Sequence, residues 1–462
     1  MIDTVEIRCR ILELAFAGKL SSHMNGDDSV EDMLLSNKIK SFNEEKGAPY
    51  DIPKHWKWVR LSELYDINPK VNANDSDDAA FVPMERISAG FNNTFTFETQ
   101  SWKQASNNHT KFMNGDVCFA KISPCFENRK SFVADDLPNS IGGGTTELIV
   151  LRQQAMNPLY TYYIVNDRRF IHDGSASYKG IVGQQRVKSD IIKNFLVPVP
   201  PYKEQSRIVE TIKRIFHEID KIDQYQSQYA SDIEVLKSKL IDAAIRGKLT
   251  EQLSEDCDAE DLYNQIQDEK AKFIKEGKIK KEKFLPDISE DEIPFEIPKS
   301  WKWVRIGKVI NEVIVPQRDK PSFSGDIPWC RIEDRDGIYL NGTKSGQYVS
   351  EQTVKEMNLR IFPVGTVLSA CSGASIGTIL INTVECCTNQ TFNGLVCNDL
   401  FYNWYLFWFL KSEIHRLKSM GSGSAMAYIS QDKIRNMLIP LPPIAEQRRI
   451  VEKIDVLLNV FD

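Results

Sequence analysis

An α+β architecture, with two β-rich globular domains separated by a pair of long coiled-coil helices, is predicted by three features of the 462-residue sequence. A tryptophan-bearing string occurs twice, and apolar residues keep a heptad through the middle of the chain. Short apolar runs broken by Gly, Asn and Asp fill the space between the repeated strings.

The repeat is the strongest of the three. "DIPKHWKWVRLS" begins at Asp51 and "EIPKSWKWVRIG" at Glu296, an offset of 245 with eight identities, two of them tryptophan. A second pair aligns the stretch ending at Asp220 with the C-terminus. It matches Asn194 to Asn436, Pro198–Pro201 to Pro440–Pro443, and Glu204-Gln205 to Glu446-Gln447. A third is displaced: "ILELAFAGKL" at Ile11–Leu20 resembles "LIDAAIRGKL" at Leu240–Leu249. The repeat is therefore circular, with a pseudo-two-fold relation, and the chain ends cut one copy. Arg60 to Pro198 and Arg305 to Pro440 span 138 and 135 residues with almost no aligned identity inside. Equal size with different content predicts one fold with two specificities.

In chain order the expected parts are a helical segment over 1–48, a recognition domain over 49–200, a central coiled helix over 201–250, a charged helical linker over 251–293, a second recognition domain over 294–442 and a final helix over 443–462. Apolar or tolerated residues at 208, 212, 215, 219, 222, 226, 229, 233, 236, 240 and 243 set the central seam. A helix from Lys203 to Arg246 would span roughly 66 Å, with Gly247 as its stop. Ile7, Ile11 and Leu14, and Ile450, Ile454, Leu457 and Phe461, continue the seam in fragments too short to stand alone. Both must pack on something, and the central helix is the expected partner. The domains read as β-rich, through runs such as "FMNGDVCFAKIS" and "TTELIVLR". Each closes in a helical stretch, "NPLYTYYIVNDRRFIHD" and "DLFYNWYLFWFLKSEIHRLKSM". Strands and helices do not alternate, which favours α+β over a doubly wound sheet.

Composition excludes several classes. The chain is 42% hydrophobic and 26% charged, has no run of 18 apolar residues, and lacks an apolar signal core at its start. No membrane contact and a cytoplasmic location are expected. Nine cysteines at irregular spacing, without a C-x-x-C pair, and six histidines predict neither disulfides nor a metal site. "GGGTTE" at Gly142 and "GSGSAM" at Gly421 lack the lysine of a phosphate loop. "NPLY" at Asn157 has one proline where an adenine-holding Asn-Pro-Pro-aromatic loop has two, and reads as a helix start with Pro in its first turn. No catalytic residue and no cofactor are assigned.

Binding remains. "KISPCFENRK" and "SYKGIVGQQRVK" combine cations, amides and glycine in the first domain; "IVPQRDK", "RIEDRDG" and "ACSGASIG" do so in the second. Arg, Lys, Gln and Asn make paired hydrogen bonds to base edges, and lysines and glycine-loop amides suit phosphates. The candidates are Lys121, Arg129, Lys130, Lys179, Gln184 and Arg186, then Arg318, Lys320, Arg331, Arg335, Ser372 and Ser375. A net charge of −6 leaves room for local basic surfaces.

Together the "IPKxWKWVR" and "PxPPxxEQxRIV" strings, the "A-x-x-GKL" helix end and the "GDVCFAKISPCFENRK…GGGTTELIVLR" run resemble the specificity subunits of type I restriction-modification enzymes, over nearly the whole chain. The resemblance implies a non-catalytic reader of double-stranded DNA whose two domains each recognise half of a split site. It also implies helices that dock two modification subunits, with S-adenosylmethionine bound by those partners, and restriction subunits as further partners. A protein scaffold without nucleic acid, and an adenine methyltransferase, are the alternative classes. The four tryptophans Trp56, Trp58, Trp301 and Trp303 are expected to be scaffold.

Overall fold

A computed structural model describes residues 1–42, 47–153, 155–179, 184–281, 283–317, 319–421 and 427–461. The chain forms two compact units, Met1–Gln228 and Tyr229–Asp462. Four helices belong to the frame: α1 (Thr4–Phe16), α2 (Tyr202–Ile245), α3 (Ala259–Lys275) and α4 (Ile444–Leu458). Four short strands do too: β1 (Lys57–Arg60), β2 (Leu196–Val199), β3 (Lys302–Arg305) and β4 (Leu438–Leu441).

In the first unit the repeated strings pair with each other. Strand β1, carrying the WKWVR string, runs antiparallel to β2 of the proline string, with Trp58 opposite Pro198 and Arg60 opposite Leu196. Two four-stranded sheets hang from this ribbon. One orders Tyr65–Ile67, Leu148–Gln153, Val117–Ala120 and Ser131–Val133, all antiparallel. The other orders Glu98–Ser101, Asp78–Val82, Ile141–Gly144 and Thr110–Met113, its middle pair parallel. Helices Pro158–Val165 and Arg168–Ala176 close the domain. Asn157 caps the first of them, accepting from the Leu159 and Tyr160 amides with Pro158 in the first turn, as read from the sequence.

The second unit repeats the plan. Strand β3 pairs with β4, Trp303 opposite Pro440. The larger sheet orders Ile310–Ile314, Phe392–Cys397, Val367–Ala370, Ile379–Asn382 and Tyr339–Leu340. The smaller holds a parallel pair, Ile327–Cys330 beside Cys387–Thr388. The order of the first four strands, and the parallel pair in the second sheet, match the first unit despite the lack of identity. The fold is α+β, as expected.

Helix α2 is within one residue of its predicted bounds at either end. Gly247 follows it at φ +69°, and the Lys248 amide closes the turn on the Ala243 carbonyl. Helix α1 runs antiparallel along its first half: the Thr4 hydroxyl donates to Asp223, and Arg8 donates to Asp220 (2.6 Å) and Asp223 (2.8 Å). The seam differs from the prediction in two ways. On α1 the buried face is Arg8, Leu12, Ala15 and Phe16, one step from Ile7, Ile11 and Leu14, which are half-buried. Arg8 lies inside that contact, its charge neutralised by Asp220 and Asp223. On α2 the apolar stripe is buried at Ile208, Ile212 and Ile219 and again at Ile241, Ala244 and Ile245. Between them Tyr225, Tyr229 and Leu236 are exposed.

Helix α4 packs Ile450, Val451 and Ile454 into one core with the end of α2. Helix α3, expected within a charged linker, is packed as well, burying Leu262 and Ile266. Its Lys270 is 3% exposed and donates to the carbonyls of Gly307 (2.8 Å) and Ile310 (2.6 Å), which keeps a buried ammonium satisfied.

Candidate functional site

The frame converges on one junction per unit, and each junction is made from the repeated strings. Gly18 and Gly247 share φ +69°, and a Cβ there would lie 2.3 Å from Pro53 Cγ and 2.6 Å from Pro298 Cγ. Only glycine tolerates both the left-handed backbone and the proline ring, which explains the GKL and IPK strings together. The first tryptophan of each string donates its indole N–H to a buried glutamate, Trp56 to Glu204 (3.1 Å) and Trp301 to Glu446 (2.8 Å). The neighbouring glutamines, Gln205 and Gln447, donate to the Pro200 and Pro442 carbonyls and accept from the Asn157 and Tyr402 amides. Tyr160 and Tyr405 donate to the Pro198 and Pro440 carbonyls at 2.9 Å each. Arg207 clamps Asp27, and Arg449 clamps Asp256. The Arg207 hydrogen bonds hold the Asp27 carboxyl down at about 2, against the opposing effect of burial. These residues are structural: they fix where each domain leaves the helices.

The recognition candidates lie where the two domains part company in sequence. After the central strand Val117–Ala120, the loop from Lys121 is tied to a second loop. The Lys121 amide donates to the Glu147 carbonyl, Ser123 to Gln185, and Val187 back to Lys121, at 2.8 to 3.0 Å. After Val367–Ala370 the same ties recur: Cys371 to Thr391, Gly373 to Ala427, and Ile429 back to Cys371. Ile122 faces Arg186 in the first domain as Ser372 faces Tyr428 in the second. The two cation-bearing loops of the first domain and the "ACSGASIG" loop of the second are thus one structural position filled by different side chains.

Lys121, Lys179, Gln184 and Arg186 are brought together here. Lys179 and Arg186 exchange two backbone hydrogen bonds, and Lys179, Gln184 and Arg186 are exposed. Arg186 is chelated by Glu147 (2.9 and 2.7 Å), and that pairing lowers the Glu147 carboxyl below its ordinary range. Glu147 is not among the residues that the sequence singles out; its place shortly after the glycine run gives no hint that it orients an arginine. Arg129 and Lys130 are turned inward. Arg129 donates to the Asn166 carbonyl (3.0 Å) and lies 5.1 Å from the Phe91 ring centre, and Lys130 donates to the Met84 carbonyl (2.8 Å). Both are held by contacts that build the domain.

In the second domain Ser375 donates to the Ser372 carbonyl (2.6 Å), closing the turn that opens at Gly373. Lys320 is exposed beside the Phe323 ring, Arg331 donates to Gln347 (2.8 Å), and Arg335 is exposed. These three sit on loops outside the Ser372–Ser375 turn. Arg318 lies outside the described residues.

No helix among the described residues is long and apolar enough to cross a membrane. The family model for the type I restriction modification DNA specificity domain matches residues 53–227 and 298–462. The chain is 28% identical to the EcoEI specificity subunit of Escherichia coli, over 99% of this chain and 89% of that protein. It is also 28% identical to the EcoAI specificity subunit of Escherichia coli, over 98% and 89%. A chain from a solved structure concerned with complex assembly and conformational transition of the type I R-M system superposes with a TM-score of 0.62 at 20% identity, over 89% of this chain and 92% of that one. Matched in both halves, the chain belongs to the type I restriction modification DNA specificity family.

Proposed function

We propose that this chain is the non-catalytic DNA-reading subunit of a type I restriction-modification complex, with residues 49–200 and 294–442 each reading one half of a bipartite target. The observation that carries the reading is the paired loop, identical in backbone ties and unlike in side chains, on two copies of one frame. Lys121, Lys179, Gln184 and Arg186 face the first half-site. Ser372 and Ser375 occupy the corresponding turn in the second domain, with Lys320, Arg331 and Arg335 on neighbouring loops. Arg186, pre-oriented by Glu147, suits a bidentate contact to a guanine edge, and the lysines suit phosphates. Modification subunits, two per complex, dock on the helices and bring S-adenosylmethionine; restriction subunits join the same assembly.

Exchange of residues 294–442 for a relative's domain, followed by mapping of methylated sites, tests the assignment. One half of the motif changes and the other persists; a change in both halves overturns it. The length of α2 sets the number of unread base pairs between the half-sites. Asp223 anchors α1, so the heptad to remove is 230–236, where the helix is mostly exposed. The deletion takes out about 10 Å of helix and shortens the spacer by at most about three base pairs, read from the same methylation map. An unchanged spacer with full activity assigns the measuring role to the partner subunits.

A further inference from the structure

Two of the differences between the junctions, at His23 and His55, create among the described residues a cluster of metal-binding atoms in the first unit alone. In the second unit Glu446 is satisfied by neutral donors: Gln252 (2.6 Å), Thr250 (2.9 Å) and Trp301 (2.8 Å), with Ser300 donating to the Gln252 carbonyl oxygen (2.6 Å). In the first unit Ser21 takes the place of Thr250 and donates to Glu204 (2.7 Å), but His23 stands for Gln252 and His55 for Ser300. Ligand atoms of His23, His55 and Glu204 all lie within 4.8 Å of one another.

We propose that His23, His55 and Glu204 bind a divalent transition-metal ion, with Zn²⁺ the best match. Two imidazole nitrogens and one carboxylate oxygen are the donor set of zinc sites that keep a fourth position for water. His55 Nε2 lies 2.9 Å from Glu204 Oε2, close enough for both to ligate one ion, and the Trp56 indole N–H reaches both atoms, at 3.0 and 3.1 Å. His23 supplies the third donor. Its ring centre is 4.6 Å from that of His55, and its Nδ1 lies 3.5 Å from Asp27 Oδ2. A tetrahedral site with bonds of about 2.0 to 2.1 Å places donors roughly 3.4 Å apart. From separations of up to 4.8 Å the closure needed is at most about 1.4 Å, and it falls to His23, whose side chain is 51% exposed, whereas Glu204 is 1% exposed. The exposed imidazole also gives the ion a route in. Bound there, the ion ties the segment after α1, the residue before Trp56 and the first turn of α2 into one cross-link.

The inference is independent of what the domains read. Its test is titration calorimetry of the full chain, purified without a histidine tag and stripped with chelator, against Zn²⁺ and Co²⁺. The expected result is one ion per chain with micromolar or tighter affinity and a Zn²⁺-dependent rise in unfolding temperature. His23→Gln/His55→Ser installs the side chains that the second junction already carries, so the fold is retained. It is expected to weaken binding by more than the ~10- to 100-fold typical of losing an outer-sphere partner and to abolish the thermal shift. His23→Gln alone, at a half-exposed position, gives the same direction should the double variant fold poorly. Absence of micromolar binding by the unaltered chain, or equal stoichiometry and affinity in both variants, overturns the proposal and leaves a proton in the His55–Glu204 contact.

Discussion

The two junctions agree almost atom for atom, while the two recognition loops agree only in backbone. Glycine against proline, tryptophan to glutamate, glutamine to proline carbonyl and tyrosine to proline carbonyl recur in both halves. Lys121 and Cys371, or Arg186 and Tyr428, hold the same place with unrelated chemistry. Side-chain identity is thus shared where it fixes the frame and differs in the loops proposed to read DNA.

The sharpest break of this symmetry comes from the glycines. Gly18→Ala and Gly247→Ala each force a left-handed alanine against a proline ring and are expected to destabilise their own half by about 3 kcal/mol or more. Hydrogen exchange resolved by segment reads this as lost protection in α1 for the first and at the end of α2 for the second. Unequal effects would show that the junctions are alike in geometry only.

Asp167 marks a real asymmetry. Burial raises its carboxyl to about 6, with the nearby Arg169 opposing the rise; at the offset that pairs Tyr160 with Tyr405 the second unit has Ser412, which carries no carboxyl. A raised folded value means that the stabilisation is complete below the unfolded value near 3.8 and is lost as pH climbs through about 6. Asp167→Asn keeps an N-cap and removes the slope. Between about pH 4 and pH 7 the wild-type chain is expected to lose about 2–3 kcal/mol relative to the variant, measured by urea denaturation at each pH.

Trp56→Phe and Trp301→Phe delete one indole N–H over a buried carboxylate and are expected to cost about 1–2 kcal/mol beyond the change in packing. The first carries the larger spread, because His55 also approaches the Trp56 nitrogen at 3.0 Å and can take part of its role. Matching midpoints in urea for the two variants would argue against that compensation. The smallest effect is expected on the recognition surface. Lys179→Ala weakens DNA binding by less than about tenfold and lowers the salt slope by roughly one for each phosphate that the lysine neutralises. Binding isotherms at several salt concentrations give both values; an unchanged slope removes Lys179 from the interface.

Much of this frame was readable in the chain. A heptad and a terminal glycine placed α2, and duplicated strings marked the strands β1 to β4, since periodicity and repetition are local in sequence. Other features arise only from long-range pairing. That the WKWVR and PxPP strings form one ribbon depends on segments far apart in the chain meeting as neighbours, Arg60 against Leu196. Lys270 reads as linker charge because carbonyls that accept from it lie 37 to 40 residues on. His23 and His55 gave no metal spacing, and Glu204 is 149 residues beyond His55. Among the candidates, Arg129 and Lys130 matched a DNA-binding composition, yet their partners are carbonyls of the same domain and, for Arg129, also Cys9 on α1.

The ribbons have a further consequence for how such a chain changes over generations. Arg60 and Leu196 are directly opposed across β1 and β2, so the first domain leaves and returns through points about 5 Å apart. The second does the same between Arg305 and Leu438. Most of what lies beyond those points is free to be replaced without moving the helices, provided the replacement ends in the same two strands and keeps the ties made by Asn157 and Tyr160 or by Tyr402 and Tyr405. Because both strands are encoded by strings present twice in the same gene, a pair of crossovers, one inside each string, transplants a whole reader with its strands already matched. The ribbon is then a socket: the stiffness that holds a domain in place is also what makes it exchangeable.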